Sequence, residues 1–227
     1  MYKLNKEWTT PELDFLSKRV LLPIKDVKYE KAYRAFVYKH HPNKNVMIDI
    51  GANIGIFAKP CSEHFNQVHA FEPAPKIADC LKINVKNCTN VFVYNNAIGT
   101  KLLNANFYYN QKNTGGTKQV NVDITEKRNE NIITVDVLPL DEYEFDDVNF
   151  IKIDTEGYEL SVLESSRNII KKYNPWILFE NSGDKNNVIE YVLSIGQYQV
   201  YTIPKHKRNT FLIPLNGKNS INVRNLQ

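Results

Sequence analysis

A glycine turn flanked by acids is the first feature of the sequence that can do chemistry. The apolar segment VMIDI (46–50) runs directly into GANIG (51–55), and Gly51 permits a tight turn and a close approach of the backbone to a ligand. About 20 residues further on, Glu72 ends the next apolar segment, and an acid at that spacing can accept hydrogen bonds from two ribose hydroxyls. The pattern predicts a nucleotide-type ligand. The alternative is structural: Gly51 and Gly55 only shape the turn, and Glu72 is a solvated strand end.

The composition of the turn discriminates between nucleotides. Dinucleotide-binding folds use G-x-G-x-x-G, in which a helix N-terminus cradles a pyrophosphate. Asn53 stands in place of the second glycine here, and Asp49 lies just before the turn. A carboxylate at that place repels a pyrophosphate but suits a ligand that carries an ammonium and a sulfonium group. The turn therefore favours S-adenosylmethionine as the cofactor and disfavours a nicotinamide-dependent oxidoreductase.

A second group of acids lies in IKIDTEGYE (151–159), where an apolar segment ends at Asp154. Methyl transfer is an in-line displacement at carbon, so that positioning of the acceptor supplies much of the catalysis. A hydroxyl acceptor also needs a base for its proton, and clustered carboxylates in a partly buried cleft have the raised pKa that suits this role. We hypothesise that Asp154 or Glu156 is this base or orients the acceptor. Glu159 falls in the first turn of the next helix, where an acid stabilises the helix dipole, and we interpret it as structural.

The elements that must position these residues follow from the hydrophobic pattern. Apolar segments alternate with amphipathic stretches, which indicates βαβ units and a mostly parallel sheet with helices on both faces. Strands are predicted at 46–50, 67–71, 90–94, 149–154 and 176–180, and helices at 54–65, 75–87, 157–173 and 185–195. Two further β-rich runs, 198–203 and 210–215, predict an antiparallel hairpin that closes the edge of the sheet.

The N-terminal segment does not share the alternating pattern. Residues 1–45 are predicted to form a helical cap, with one helix opening at Pro11 and another over residues 26–39. Residues 46–227 are predicted to form a single Rossmann-like α/β domain.

Residues 101–139 also interrupt the alternation. Two β-like runs, 102–109 and 132–138, flank a polar segment that contains NTGG (113–116). The pattern predicts a hairpin-like insertion, which is either a substrate lid or a surface excursion.

These motifs together resemble the FkbM-type methyltransferases. The resemblance is carried by IDIGANIG (48–55), FEP (71–73), Asn96-Ala97, Leu140-Asp141, IKIDTEGYE (151–159) and PWILFE (175–180). It extends over about residues 46 to 180, and IKIDTEGYE is its most specific part. It implies a class I methyltransferase fold, with a seven-stranded sheet and a helix-rich N-terminal cap. It also implies transfer of a methyl group from S-adenosylmethionine to oxygen, commonly a hydroxyl of a sugar or secondary metabolite.

The resemblance further implies which residues bind the cofactor. The set comprises Asp49, Gly51, Ala52, Asn53, Gly55, Glu72, Pro73, Asn96 and Ala97. Within it, Asp49, Gly51, Asn53 and Gly55 would line the methionine and ribose side. Glu72 would hold the ribose, and Asn96 and Ala97 would flank the adenine. Pro60 is a departure, because a proline inside the helix after the turn should kink or shorten that helix.

Composition narrows the class of protein. The 227 residues carry a net charge of +4 and lack an apolar run of the roughly 18 residues that a membrane span needs. The N-terminus has no signal-peptide pattern, and three cysteines without CxxC spacing indicate thiols rather than disulfides or zinc. We therefore expect a cytoplasmic protein, of a cell or of a host, with no membrane contact and no structural metal site. A catalytic divalent ion held by Asp154 and Glu156 is an open alternative.

The acceptor is open at this stage. A small molecule or a glycan is the first expectation, and an RNA cap-type 2′-O-methyltransferase is the alternative. Lys28, Lys31 and Lys39 precede the glycine turn, but acids interleave with them and the low net charge does not favour nucleic acid. A catalytically silent module that binds the cofactor is a further alternative. The pattern does not indicate an oligomeric state.

Overall fold

The computed structural model describes residues 1–3, 8–12, 14, 30–100, 103–110, 112–119, 131–181 and 185–225. The strands in these residues are β1 Tyr2–Lys3, β2 Thr9–Thr10, β3 Val46–Ile50, β4 Gln67–Phe71, β5 Val91–Tyr94, β6 Ala97–Ile98, β7 Leu103–Tyr108, β8 Lys118–Gln119, β9 Ile132–Leu138, β10 Val148–Ile153, β11 Trp176–Glu180, β12 Tyr198–Tyr201 and β13 Asn209–Pro214. The α-helices are α1 Lys31–His40, α2 Ala58–Cys61, α3 Pro75–Val85, α4 Glu159–Glu164, α5 Arg167–Tyr173 and α6 Lys185–Ile195.

The central sheet has seven strands in the order β12-β13-β11-β10-β3-β4-β5. Strands β11, β10, β3, β4 and β5 are mutually parallel, whereas β13 is antiparallel to both β11 and β12. The predicted mostly parallel, seven-stranded sheet is therefore confirmed. The C-terminal hairpin is confirmed as well, and its second strand lies inside the sheet while β12 forms the edge.

Residues of the central strands alternate between two apolar cores, one on each face of the sheet. Ile48, Ile151 and Ile177 pack into one core together with buried residues of α4, α5 and α6. Met47 and Trp176 belong to the other core. All five residues of β3 and all five of β11 are buried. Because successive side chains of a strand point to opposite faces, these strands must be covered on both sides of the sheet.

Helix α1 covers the second face, through Tyr33, Phe36 and Val37. The helix begins at Lys31, and the earlier part of its predicted range lies outside the described residues. The described N-terminal residues contain the short antiparallel pair β1–β2, and most of the helix predicted to open at Pro11 also lies outside them. The helical cap over residues 1–45 and its boundary with the domain stay predictions.

The helix after the glycine turn is much shorter than the predicted 54–65. Turns cover the residues after Gly55, and the helix itself is the four-residue α2. Pro60 has no N–H to donate to the carbonyl of Ile56, four residues earlier. Arg34 Nη1 from α1 donates a hydrogen bond to that carbonyl over 3.5 Å. The expected shortening at Pro60 is thus confirmed, and a distant helix compensates for the missing donor.

Strands β7, β8 and β9 of the insertion form a second sheet together with the preceding strand β6, in the order β6-β9-β7-β8. Strands β7 and β9 pair antiparallel from Leu103↔Val137 to Tyr108↔Ile132, which confirms the hairpin-like arrangement. Strand β6 follows β5 of the central sheet directly and pairs with β9, so the second sheet begins where the central one ends.

Candidate functional site

A cavity opens at the carboxyl ends of β3, β4 and β10, where α/β folds place their ligands. Its walls include nine of the eleven residues predicted for the site: Gly51, Ala52, Asn53, Glu72, Pro73, Asn96, Ala97, Asp154 and Glu156. Asp49 and Gly55 are the two predicted residues that do not line it. Residues of the insertion line it too, namely Phe107, Asn113, Thr114, Gly115, Thr117 and Gln119. The insertion therefore belongs to the cavity and is more than a surface excursion.

Gly51 is required by close packing of two strand ends. Its φ is 77°, and a Cβ added there would lie 1.9 Å from the carbonyl oxygen of Asp154. The Gly51 and Ala52 N–H groups both donate to the carbonyl of Phe71, at 3.0 and 2.9 Å. Only glycine thus permits β3 to turn between β4 and β10 at this height. Gly55, with φ 92°, faces Leu81 of α3 instead of the cavity.

The Glu72 carboxylate is held by two backbone donors. Asn53 N–H donates to Oε2 over 2.9 Å and Ala74 N–H donates to Oε1 over 3.0 Å. Burial raises the pKa of Glu72 to about 7, although both backbone hydrogen bonds favour the ionised form. Each oxygen keeps a second lone pair. A fixed carboxylate with two remaining acceptor directions can bind the two hydroxyls of a ribose.

Asn53 connects the glycine turn to the insertion. Its φ is 52°, a left-handed conformation that asparagine adopts more readily than most residues. Its Oδ1 accepts a hydrogen bond from Ile54 N–H over 2.7 Å and lies 3.1 Å from Thr114 Oγ1. The Thr114 hydroxyl lies 2.9 Å from Oδ2 of the fully buried Asp14. The insertion and the N-terminal segment therefore meet on the predicted cofactor loop.

The predicted adenine-flanking pair follows β5. Asn96 is mostly buried, and its Oδ1 accepts a hydrogen bond from the Tyr143 hydroxyl over 3.0 Å. Its Nδ2 donates to the carbonyl of Ala97 over 2.9 Å. Two apolar side chains also line the cavity: Ile98, which follows Ala97 directly, and Phe107, which lies on β7 of the second sheet. An apolar wall with fixed polar groups is what a purine ring requires.

Asp49 differs from its predicted role. The structure buries it completely in β3 and places its Oδ1 3.3 Å from Lys152 Nζ on the neighbouring strand β10. Lys152 Nζ also lies 3.5 Å from Asp154 Oδ2 and 3.3 Å from the Gly51 carbonyl. Burial raises the pKa of Asp49, and the charge of Lys152 opposes that rise. Asp49 thus acts on the cavity through Lys152, which neutralises the charge expected to repel a pyrophosphate.

Three carboxylates converge after β10 and β11, and we call them the acid cluster: Asp154, Glu156 and Glu180. Asp154 and Glu156 line the cavity, and Glu180 lies beside them. One oxygen of each lies within 4.8 Å of the others. Glu180 ends β11, its Oε1 accepts a hydrogen bond from Arg208 Nε, and Arg208 also lines the cavity. Burial and then the charge of Asp154 raise the pKa of Glu180 to about 7, against the opposing effect of Arg208.

The loop that carries Asp154 and Glu156 is fixed by Glu159. Its Oε1 accepts hydrogen bonds from Thr155 N–H and Gly157 N–H, at 3.2 and 3.1 Å. Glu159 is the first residue of α4 and is almost fully buried, as the structural interpretation of this acid predicts. Glu156 has a φ of 54°, a strained conformation that such an anchored loop can maintain.

Sequence reasoning missed three charged residues that line the cavity, namely Glu30, Lys152 and Arg208, and a fourth, Glu180, that joins the acid cluster without lining the cavity. Lys152 could have been recognised from the sequence, because a lysine in a buried apolar strand requires a partner of opposite charge. The sequence indicated Glu180 less clearly: it ends β11, which pairs with β10, the strand that ends just before Asp154. Glu30 and Arg208 reach the site from distant parts of the chain.

Comparison with known proteins identifies the family. The model of the methyltransferase FkbM domain matches residues 49–207, which include the glycine turn, Glu72 and the acid cluster. The chain belongs to the FkbM methyltransferase family. It is accordingly an enzyme that uses S-adenosylmethionine, and the fold, cofactor and reaction class predicted from the sequence are confirmed.

Individual relatives of this FkbM-family chain are distant. The hexuronic acid methyltransferase AglP of Haloferax volcanii is 25% identical over 195 residues, which are 84% of this chain and 78% of AglP. Methyltransferase FkbM from Methylobacillus flagellatus is 21% identical with a TM-score of 0.57, over 79% of this chain and 46% of that chain. A precorrin-6y C5,15-methyltransferase from Geobacter metallireducens is 15% identical with a TM-score of 0.50, over 93% and 97%. The two solved structures share the fold.

Proposed function

We propose that this methyltransferase transfers the methyl group to a hydroxyl of a sugar. The observation that carries the proposal is the acid cluster beside the expected methyl donor. Glu72 follows β4 and Asp154 follows β10, with β3 between them, and neighbouring strands lie about 4.8 Å apart. The two acids are thus separated by about 10 Å along the sheet edge. A cofactor whose ribose binds Glu72 can present its sulfonium methyl group to Asp154.

The reaction then needs a positioned oxygen and a proton acceptor. A lone pair of the hydroxyl oxygen attacks the methyl carbon while the carbon–sulfur bond breaks, and its electrons neutralise the sulfonium as S-adenosylhomocysteine forms. The hydroxyl proton passes to the acid cluster. Asp154 and Glu156 line the cavity, so that one of these carboxylates can take the proton while the other orients the acceptor.

A sugar acceptor is supported by the cavity wall that the insertion supplies. Asn113, Thr117 and Gln119 give this wall uncharged polar side chains. Groups of this kind form hydrogen bonds with hydroxyls without demanding a charged ligand. The relative named as a hexuronic acid methyltransferase supports the same class of acceptor.

Cytoplasmic location stays a prediction. Cys61, Cys80 and Cys88 are unpaired thiols, as is expected of a protein in that compartment.

The test combines one variant with a panel of acceptors. Release of S-adenosylhomocysteine and a gain of one methyl mass are measured with uronic acid glycosides, neutral glycosides and capped RNA. We expect methylation of a glycoside, loss of turnover in Asp154→Asn, and unchanged S-adenosylhomocysteine affinity in that variant. Asp79→Asn, which removes an exposed carboxylate on α3, is the matched control and should behave as wild type.

Three outcomes would contradict the proposal. Methylation of capped RNA alone would favour the RNA methyltransferase. Tight cofactor binding without transfer to any acceptor would favour a silent binding module. Full activity of Asp154→Asn would remove the acid cluster from the mechanism.

A further inference from the structure

The acid cluster is assembled by the register of two parallel strands. Ile153 of β10 pairs with Phe179 of β11, so the residues that follow, Asp154 and Glu180, stand next to each other. Glu156 reaches the same point from the loop after β10. One oxygen from each of the three side chains lies within 4.8 Å of the other two. Like charges at this spacing repel, so the arrangement requires either a shared proton or a positive partner.

Arg208, the cation paired with Glu180, compensates the negative charge of the cluster only in part. Its side chain is only 7% exposed. Oε1 accepts the hydrogen bond from Arg208, whereas the buried Oε2 has no N–H or hydroxyl donor among the described residues. The Glu180 and Asp154 carboxyl groups lie within hydrogen-bonding contact, so that either a proton held between them or a cation must join them. A carboxylate oxygen that has lost water without gaining a donor is unfavourable. A metal ion bound by the cluster would satisfy it.

The charges around the cluster are consistent with this requirement. Lys152 is shared between Asp154 and the buried Asp49, and Arg208 is the cation paired with Glu180. Glu30, a further carboxylate, lines the same cavity. Among these residues carboxylates outnumber the two cationic side chains, so a divalent ion would bring the region closer to neutrality.

We propose that Asp154, Glu156 and Glu180 bind a divalent cation, with water and, under the proposed function, neighbouring hydroxyls of the sugar completing its coordination. Mg²⁺ and Ca²⁺ prefer carboxylate and hydroxyl oxygens. Three oxygens within 4.8 Å of one another can reach a single ion of either kind after small side-chain rotations. The ion would hold two sugar oxygens at a fixed distance from the methyl group.

Binding of Mn²⁺ to the full, metal-stripped chain tests the site without methyl transfer. Electron paramagnetic resonance and calorimetry should detect a Mn²⁺ site that Mg²⁺ and Ca²⁺ displace. Glu180→Gln and Glu156→Gln should each weaken Mn²⁺ binding about tenfold or more. Glu164→Gln removes an exposed acid at the end of α4 and should bind Mn²⁺ as wild type does. Affinity for S-adenosylhomocysteine reports that each variant is folded.

The outcomes separate this site from the proposed function. If the wild type binds S-adenosylhomocysteine but none of the three ions at millimolar concentration, or if Glu156→Gln retains full Mn²⁺ affinity, the cation site is wrong. Methylation of a glycoside that persists unchanged in a strong chelator would also overturn it, while leaving the proposed function intact. Mn²⁺ binding lost in both cluster variants supports the site even if no sugar is methylated.

Discussion

Protonation of Glu72 should control how tightly the adenosine part of the cofactor binds. Burial raises the pKa of this carboxylate from 4.5 to about 7, and the ribose hydroxyls bind best to its ionised form. The ionised fraction is about nine-tenths at pH 8 and about one-tenth at pH 6. Affinity should therefore fall about tenfold between pH 8 and pH 6. Ligand binding favours the carboxylate, so the bound complex should have the lower pKa.

Calorimetry with 5′-methylthioadenosine measures this effect cleanly. The compound carries the adenine and ribose but not the amino acid of S-adenosylmethionine, so that no ligand group titrates in this range. In Glu72→Gln the pH dependence should disappear, and affinity at pH 8 should fall about 10- to 100-fold through loss of a charge-assisted hydrogen bond. Wild-type affinity that is constant from pH 6 to 8, or a slope that persists in Glu72→Gln, would refute the reasoning.

The same pKa shift predicts a stability slope in the ligand-free protein. A carboxyl group whose pKa is raised by folding makes its contribution at low pH and loses it as the pH rises from 4.5 through 7. Between pH 5 and pH 8 the loss amounts to about 2–3 kcal/mol. Urea unfolding of wild type and Glu72→Gln at both pH values should show this difference in slope. The absolute stability is a poorer readout, because the amide that Glu72→Gln introduces cannot accept from both backbone N–H groups.

Two further substitutions test the packing beneath the cavity. Gly51→Ala should lower the free energy of unfolding by more than about 3 kcal/mol, because the added Cβ would overlap the Asp154 carbonyl. Gly217 also has a positive φ, 86°, but a Cβ added there would have nothing within 4 Å. Gly217→Ala should therefore lose only about 1–2 kcal/mol in the same urea titration. Equal losses would show that φ alone decides the effect. Lys152→Met should cost about 3–5 kcal/mol, since it leaves the Asp49 carboxylate buried without its ion-pair partner, and adding Asp49→Asn should restore most of that loss. A single Lys152→Met variant as stable as wild type by urea unfolding would contradict the pairing.

Local pattern was sufficient to predict the central strands and the glycine turn. β3, β4 and β11 have the predicted bounds, because each is an apolar run bounded by residues that end a strand. Helix 157–173 is divided into α4 and α5 by a turn at Ser165 and Ser166, whose hydroxyls both bond to the carbonyl of Val162. Serine side chains that compete for backbone carbonyls are a local effect that periodicity does not reveal.

The charged residues of the site were harder to predict, since their positions depend on which strands become neighbours. The carboxylates of Asp49 and Asp154 were visible in the sequence, but their shared Lys152 becomes evident only from the pairing of β3 with β10. Glu30 and Arg208 arrive from opposite ends of the chain, and no spacing rule connects them to the glycine turn. Motif reasoning finds residues contributed by one βα unit and misses those brought together by the sheet order.

The short helix behind the glycine turn also limits which ligands the turn can bind. A helix attracts phosphate through the summed dipoles of its peptide units, and α2 has only four residues. Pro60 and the turns before it thus leave the loop without the field that a pyrophosphate needs. S-adenosylmethionine carries no phosphate, so the small dipole of this helix does not weaken its binding. We therefore expect discrimination against dinucleotides to arise from an attraction that the truncated helix fails to provide, rather than from the charge of Asp49, which Lys152 neutralises.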